Sequence, residues 1–216
     1  MANKFKRINQ ESQKKAQNDS NLRMIMGLVI VALITLVVFF AYGSNKGQNQ
    51  ATQQPSGQAD QQKADITQVQ QRVDQAEKSA QATPKDYTAL VNLGNAYYDL
   101  GSAYYDNGKE NESVAIYAKS IDPYQKALEQ KFEIGVQTDL ATAAFYGNKP
   151  DVADAAFKKA IEKQPDFLVA RFNYGVFLNE VKKDKAAAKV QIEYVANQTK
   201  DKDAAAKAQE FLKSLQ

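Results

Sequence analysis

Residues 139–165 read DLATAAFYGNKPDVADAAFKKAIEKQP, and this stretch decides the fold. Residues 173–199 read NYGVFLNEVKKDKAAAKVQIEYVANQT and repeat its pattern, with Gly175 standing 34 positions after Ala141. In both stretches alanine, leucine and aromatic residues recur at roughly three- and four-residue spacings, which is typical of packed helices. A fixed period of this length indicates an array of internal repeats.

A third copy of the pattern begins upstream, and together the copies resemble the tetratricopeptide repeat. The family's first-helix motif is matched at Leu90, Leu93, Gly94 and Tyr97. Its second-helix motif is matched at Ala153, Phe157, Ala160 and Pro165. The resemblance implies an all-α solenoid of helix–turn–helix units. Glycine or alanine lets paired helices approach, and the aromatic residue fills the space between neighbouring pairs.

The resemblance also predicts the domain organisation of residues 84–201. They divide into repeats at 84–133, 134–167 and 168–201, and residues 202–216 form a charged, alanine-rich capping helix. The third repeat departs from the family pattern, because Gln191 stands at the aromatic position and Thr199 at the proline position.

The first repeat holds 13 extra residues between equivalent positions, since 47 positions rather than 34 separate Gly94 from Ala141. Its first helix is expected to run on to Asn107 and Gly108, a good C-terminal cap. A second helix then begins near Glu110. The dipeptide Asp-Pro at 122–123 interrupts it, either as a kink or as a fresh N-cap with proline in the first turn.

Residues 64–82 are expected to form an amphipathic helix with one narrow apolar seam. The seam consists of Ile66, Val69, Val73, Ala76 and Ala80. Packing against the next helix is favoured over a short coiled coil, because alanine fills much of the seam and the segment is short. Thr83 and Pro84 end the helix, since a residue before proline avoids the helical region.

Residues 24–42, MIMGLVIVALITLVVFFAY, predict a transmembrane helix, because the run carries no charge and is long enough to cross the hydrocarbon layer. The basic tail 1–23 precedes it, and a Gln/Ser/Gly-rich linker, 43–63, follows it and is expected to be a flexible tether. The run is longer than the apolar part of most signal peptides. Cleavage at 41–43, Ala-Tyr-Gly, stays open as an alternative.

The flanking charges predict the orientation of this span. Residues 1–23 carry six Lys/Arg against two Asp/Glu, whereas Lys46 alone follows the span closely. Positive flanks stay inside, so the N-terminus is expected in the cytoplasm and the C-terminal domain on the outer face of a bacterial cytoplasmic membrane. Residues 64–216 carry 20 Lys/Arg and 22 Asp/Glu, a balance that does not suggest nucleic-acid binding.

The composition argues against an enzyme. The chain contains no cysteine and no histidine, which excludes thiolate nucleophiles, histidine bases and ordinary zinc sites. Carboxylate pairs such as Glu110 with Glu112 lie at turns or helix starts, where acids favour the helix dipole. No glycine-rich phosphate loop occurs in the sequence. We therefore expect no catalytic residues, no cofactor and no metal ion.

A binding surface is implied by the resemblance, because the family builds its inner face from the first helix of each repeat. The expected partner-binding residues are Asn95, Tyr98, Thr142, Tyr146 and Asn179. The same face includes Thr88, Val91, Asp99, Thr138, Phe145, Val169, Phe172 and Val176. For Phe145, Phe172 and Val176, ordinary packing between helices is an equal alternative. Only Asn95 matches the family's carboxylate-binding clamp, so we expect no such clamp.

These features favour a membrane-tethered scaffold that binds a protein or peptide partner in envelope assembly, secretion or cofactor-protein maturation. The alternative is a structural protein that self-associates, through its repeat faces or the seam of residues 66–80, into a homo-oligomer. The sequence does not choose the pathway or identify the partner.

Overall fold

A computed structural model describes residues 65–215, which form α-helices joined by short turns, with no strand in this range. The helices are α1 (Ile66–Ala82), α2 (Tyr87–Asp106), α3 (Glu110–Lys119), α4 (Ile121–Gln130), α5 (Ile134–Tyr146), α6 (Pro150–Lys163), α7 (Leu168–Phe177), α8 (Lys185–Gln198) and α9 (Lys202–Ser214). The expected all-α fold is confirmed for this range. The expected tail, span and linker (1–23, 24–42 and 43–63) lie outside the described residues. Within residues 65–215, no helix is both long and apolar enough to cross a membrane.

Helices that follow one another in the chain pack against one another. α2 lies against both α3 and α4, α5 pairs with α6, and α7 pairs with α8. α1 covers α2 at one end and α9 covers α8 at the other, while α5 also contacts α3, α4 and α7. The apolar seam of α1 is used in this packing, because Val69 and Val73 are buried against Leu100 of α2.

Aspartates begin several of the helices. The side chains of Asp65, Asp86, Asp184 and Asp201 each accept a hydrogen bond from a backbone N–H in the following first turn. These hydrogen bonds satisfy backbone N–H groups of the first turn that have no acceptor within the helix. Asn107 is the C-cap of α2, and Gly108 then takes a positive φ of 75°, which glycine adopts without strain. The stop expected at these two residues is therefore present.

The first helical hairpin, formed by α2 with α3 and α4, is long because its two sides make two glycine–tyrosine contacts. A Cβ atom at Gly94 would lie 2.5 Å from Tyr124 Cε1, and one at Gly101 would lie 2.9 Å from Tyr117 Cδ1. The two glycines are seven positions apart and so are the two tyrosines, running in opposite directions. The extra residues thus lengthen α2 and the α3–α4 segment that packs against it, and they add a second glycine–tyrosine contact. α4 begins afresh after Ser120, with Pro123 in its first turn.

Replacing Gly94 with alanine tests this contact. The added methyl group would overlap the Tyr124 ring, so we expect Gly94→Ala to lower the free energy of unfolding by about 1–3 kcal/mol despite alanine's better helix propensity. Gly135→Ala is the matched control, because nothing lies within 4 Å of its Cβ position. Urea melts of the full chain measure both. Equal stability of the two variants would contradict the close approach.

In the third helical hairpin, α7 with α8, the position that the repeat pattern assigned to Gln191 is taken by another residue. α7 continues into a π-helical turn, Leu178–Lys182, which takes more residues per turn than an α-helix and shifts the following register by one. Ile192, not residue 191, therefore faces Gly175, whose Cβ position lies 2.6 Å from Ile192 Cδ1. Fully buried Ala188, Ile192 and Val195 stand 35 positions after fully buried Ala153, Phe157 and Ala160.

Candidate functional site

The neighbouring surfaces of α2 and α5 bring together the polar groups that we call the α2–α5 face: Asn95, Tyr98 and Asp99 from α2, Tyr124 from α4, and Asp139 from α5. The Tyr124 hydroxyl donates a hydrogen bond to Asn95 Oδ1 at 2.8 Å. Burial raises the pKa values of Tyr98 and Tyr124 well above the ordinary range, and the charge of Asp139 raises both further.

Asp139 is the unusual member of this face. Its side chain is half-buried and forms no hydrogen bond or ion pair with any described residue. Burial, and to a lesser extent the charge of Glu133, raises the pKa of Asp139 to about 7. A carboxylate placed here without a counter-charge destabilises the fold when it ionises.

The other acids near this face have partners. Asp99 accepts a hydrogen bond from Arg72 Nη1 at 3.1 Å, although burial still raises the pKa of its carboxyl group. Glu133 accepts a hydrogen bond from the Tyr87 hydroxyl at 2.7 Å and pairs with Lys131 at 3.3 Å. The Tyr87 hydrogen bond lowers the pKa of Glu133. Of these three acids, Asp139 is the one that receives no hydrogen bond from the part of the chain that the structure describes.

Tyr98 and Tyr146 take part in an aromatic cluster rather than standing free on the surface. The Tyr98 ring lies 5.1 Å from Tyr117 and 6.3 Å from Tyr146, and the Tyr146 ring lies 4.9 Å from Phe145. Tyr98 is half-buried, but Tyr146 is only 4% exposed. The open placement expected for Tyr146 is therefore wrong, because its ring packs between helices.

Thr142 is also interior, at 5% exposure. Its hydroxyl donates to Thr138 O at 2.9 Å and accepts a hydrogen bond from Asn173 Nδ2 at 3.2 Å. It thus links α5 to α7 through side chains that are themselves buried. The open placement expected for Thr142 is corrected in the same way, since its hydroxyl is already engaged.

The remaining residues of the expected face divide by exposure. Thr88, Asn95 and Asp99 are exposed, Val91, Val169 and Asn179 are half-buried, and Thr138, Phe145, Phe172 and Val176 are buried. Asn179 lies in the π-helical turn and donates a hydrogen bond to Glu180 Oε1 at 2.7 Å. No hydrogen bond among the described residues joins Asn179 to the α2–α5 face. The buried aromatic and valine positions belong to the core, the alternative that their helical spacing left open.

Sequence reasoning missed Asp139, although one signal was available. Within α5, IGVQTDLATAAFY, Asp139 is the single charged residue in a helix whose other residues are apolar, small or uncharged polar. Burying a charged side chain in such a helix costs stability, and buried ionisable groups concentrate at functional sites.

No protein-family model matches the chain. No curated protein sequence matches it either. The site must therefore be interpreted from its own geometry.

Proposed function

We propose that this protein is a membrane-tethered scaffold of the tetratricopeptide type, and that its α2–α5 face binds a protein or peptide partner on the outer side of a bacterial cytoplasmic membrane. Asp139 pairs there with a lysine or arginine side chain of the partner. Asn95, Asp99 and the edge of Tyr98 supply further contacts around it. Envelope assembly, secretion and cofactor-protein maturation are the settings that suit such a scaffold.

The observation that supports binding is the half-buried side chain of Asp139, which has no counter-charge among residues 65–215. Burying an ion without a partner costs stability, and strongly perturbed carboxyl groups concentrate at functional sites. Lysine and arginine carry only donors, so they complement a face whose unpaired group is an acceptor. Tyrosine and asparagine beside such a contact add area and hydrogen bonds at small entropic cost.

The repeat assignment is supported by the packing of the hairpins. Glycine residues sit against large side chains at Gly94 with Tyr124 and at Gly175 with Ile192. Fully buried alanines recur on the second helix of two hairpins, at Ala153, Ala160 and Ala188. Membrane attachment and orientation are supported by the sequence of residues 24–42 and its flanking charges.

The self-associating alternative has less support through the seam of residues 66–80 than through the repeat faces. Its seam is occupied within the chain, because Val69, Val73 and Ala80 are buried in the packing of α1. Self-association through the repeat faces remains an outcome of the test below.

A photoreactive residue in place of Asn95, in the full chain in its native membrane, tests the proposal. Because Asn95 is exposed on the face, we expect one discrete crosslinked species containing a second protein. The same residue in place of Val190, which is 60% exposed on α8, should not give that species. A product with the mass of two copies of this chain would support self-association instead. Identical products from both positions would contradict a specific face.

A further inference from the structure

A second surface, separate from the α2–α5 face, lies between α4, α5 and α6. It is a groove of about 790 Å³, within the range of roughly 300–1,000 Å³ found for ligand sites. Its apolar lining comes from Leu128 on α4, Leu140 on α5, and Val152, Ala155 and Ala156 on α6. The described surface adds Phe132, 40% exposed, beneath the Lys159 ammonium group at 5.9 Å. A groove formed by three helices, open to solvent and with apolar side chains in its lining, has a form that accepts a further helix.

The lining of this groove contains an unpaired acceptor. Gln137 is 2% exposed, and its Nε2 donates to Ala156 O at 3.1 Å. Its Oε1 receives no hydrogen bond from any described residue. This oxygen has almost no accessible surface, so its missing hydrogen bond is a cost to the fold rather than a contact for a ligand.

The charged residues at the rim of the groove indicate that a ligand would carry positive charge. Glu129 and Asp151 both line the groove and are exposed, and neither forms an ion pair with a described residue. The one lysine of the lining, Lys159, lies over the Phe132 ring. Two exposed carboxylates without an ion pair among the described residues are complementary to lysine and arginine side chains.

We infer that this groove docks an amphipathic helix of a protein partner. Leucine-like side chains of that helix lie on Leu128, Leu140 and Val152, and lysine or arginine residues on its flank pair with Glu129 and Asp151. The scaffold thereby has two binding surfaces, and this one does not depend on Asp139.

A displayed library of helix-forming peptides, with leucine fixed on one face and all residues allowed elsewhere, tests this inference on the full chain. Selected peptides should be enriched in lysine and arginine over the input. Ala155→Arg places a bulky cation on an exposed wall of the groove, and should weaken their binding at least about tenfold. Ala186→Arg, at an exposed alanine of α8 outside the groove, is the matched control and should bind as the wild type does.

Further variants separate the competing explanations. Glu129→Gln combined with Asp151→Asn should remove the preference for cationic peptides while leaving the fold intact, since both side chains are exposed. Peptides that bind Ala155→Arg normally would overturn the inference, and so would peptides that lose affinity only for Asp139→Asn. A dimer of the wild-type chain that disappears in Ala155→Arg would show that a second copy is the occupant, which also overturns it.

Discussion

Phe157→Ala should lower the free energy of unfolding by about 3–5 kcal/mol, the usual loss for a fully buried phenylalanine. The Phe157 side chain has no exposed surface, and its ring lies 5.6 Å from Tyr174 and 5.9 Å from Phe177. It therefore joins α6 to α7, and its removal leaves a cavity between two hairpins rather than at the surface. Cavities at such a junction cannot close without moving one hairpin against the next.

Urea melts of the full chain measure this loss, and Phe132→Ala supplies the control. Phe132 is 40% exposed, so its replacement should change the free energy of unfolding by less than about 1 kcal/mol. Similar losses for the two phenylalanines would show that Phe157 does not join the hairpins as described.

Asp139→Asn should stabilise the protein above neutral pH, by up to about 4 kcal/mol. The folded state raises the pKa of Asp139 from 3.8 to about 7, so it favours the neutral carboxyl group. The stability associated with that group is fully present below pH 3.8 and is lost as the pH rises through about 7. Asparagine has the same shape and no charge, so it should not lose this stability.

The difference in unfolding free energy between Asp139→Asn and the wild type isolates this effect from the other titrating groups. We expect a small difference near pH 4 and the full difference near about pH 8, measured in urea at both pH values. Asp166→Asn, at an exposed turn position, should show no comparable change. If Asp139→Asn is less stable than the wild type near about pH 8, the carboxylate has a favourable partner and the interpretation of the face is wrong.

Local sequence patterns were sufficient for the all-α class and for some features of individual helices. Apolar spacing placed the seam of α1, and Asn107 with Gly108 marked the end of α2, because these signals act within one or two turns. The register of α8 could not be read from the 34-residue period. The π-helical turn at Leu178–Lys182 adds a residue that no local motif announces, and Ile192 takes the position expected for residue 191.

The candidate site was harder to predict than the fold. Family geometry identifies which side of a helix faces inward, but it does not say whether a side chain there is covered by a neighbouring helix. Tyr146 and Thr142 share that side with Asn95, yet ring packing and the hydrogen bond from Asn173 bury them. The raised pKa of Asp139 comes mainly from burial, which depends on how neighbouring helices pack and not on the local sequence of α5.

The pairing of Asp139 with a partner cation is tested most directly by the yield of the crosslink from position 95 in the full chain, compared between Asp139→Asn and Asp166→Asn. Loss of a charge-assisted hydrogen bond, worth about 1.5–3 kcal/mol, should reduce the yield about tenfold or more in Asp139→Asn, although that variant is the more stable protein. Asp166→Asn should retain the wild-type yield, because residue 166 is exposed outside the face. An undiminished crosslink in Asp139→Asn would contradict the account.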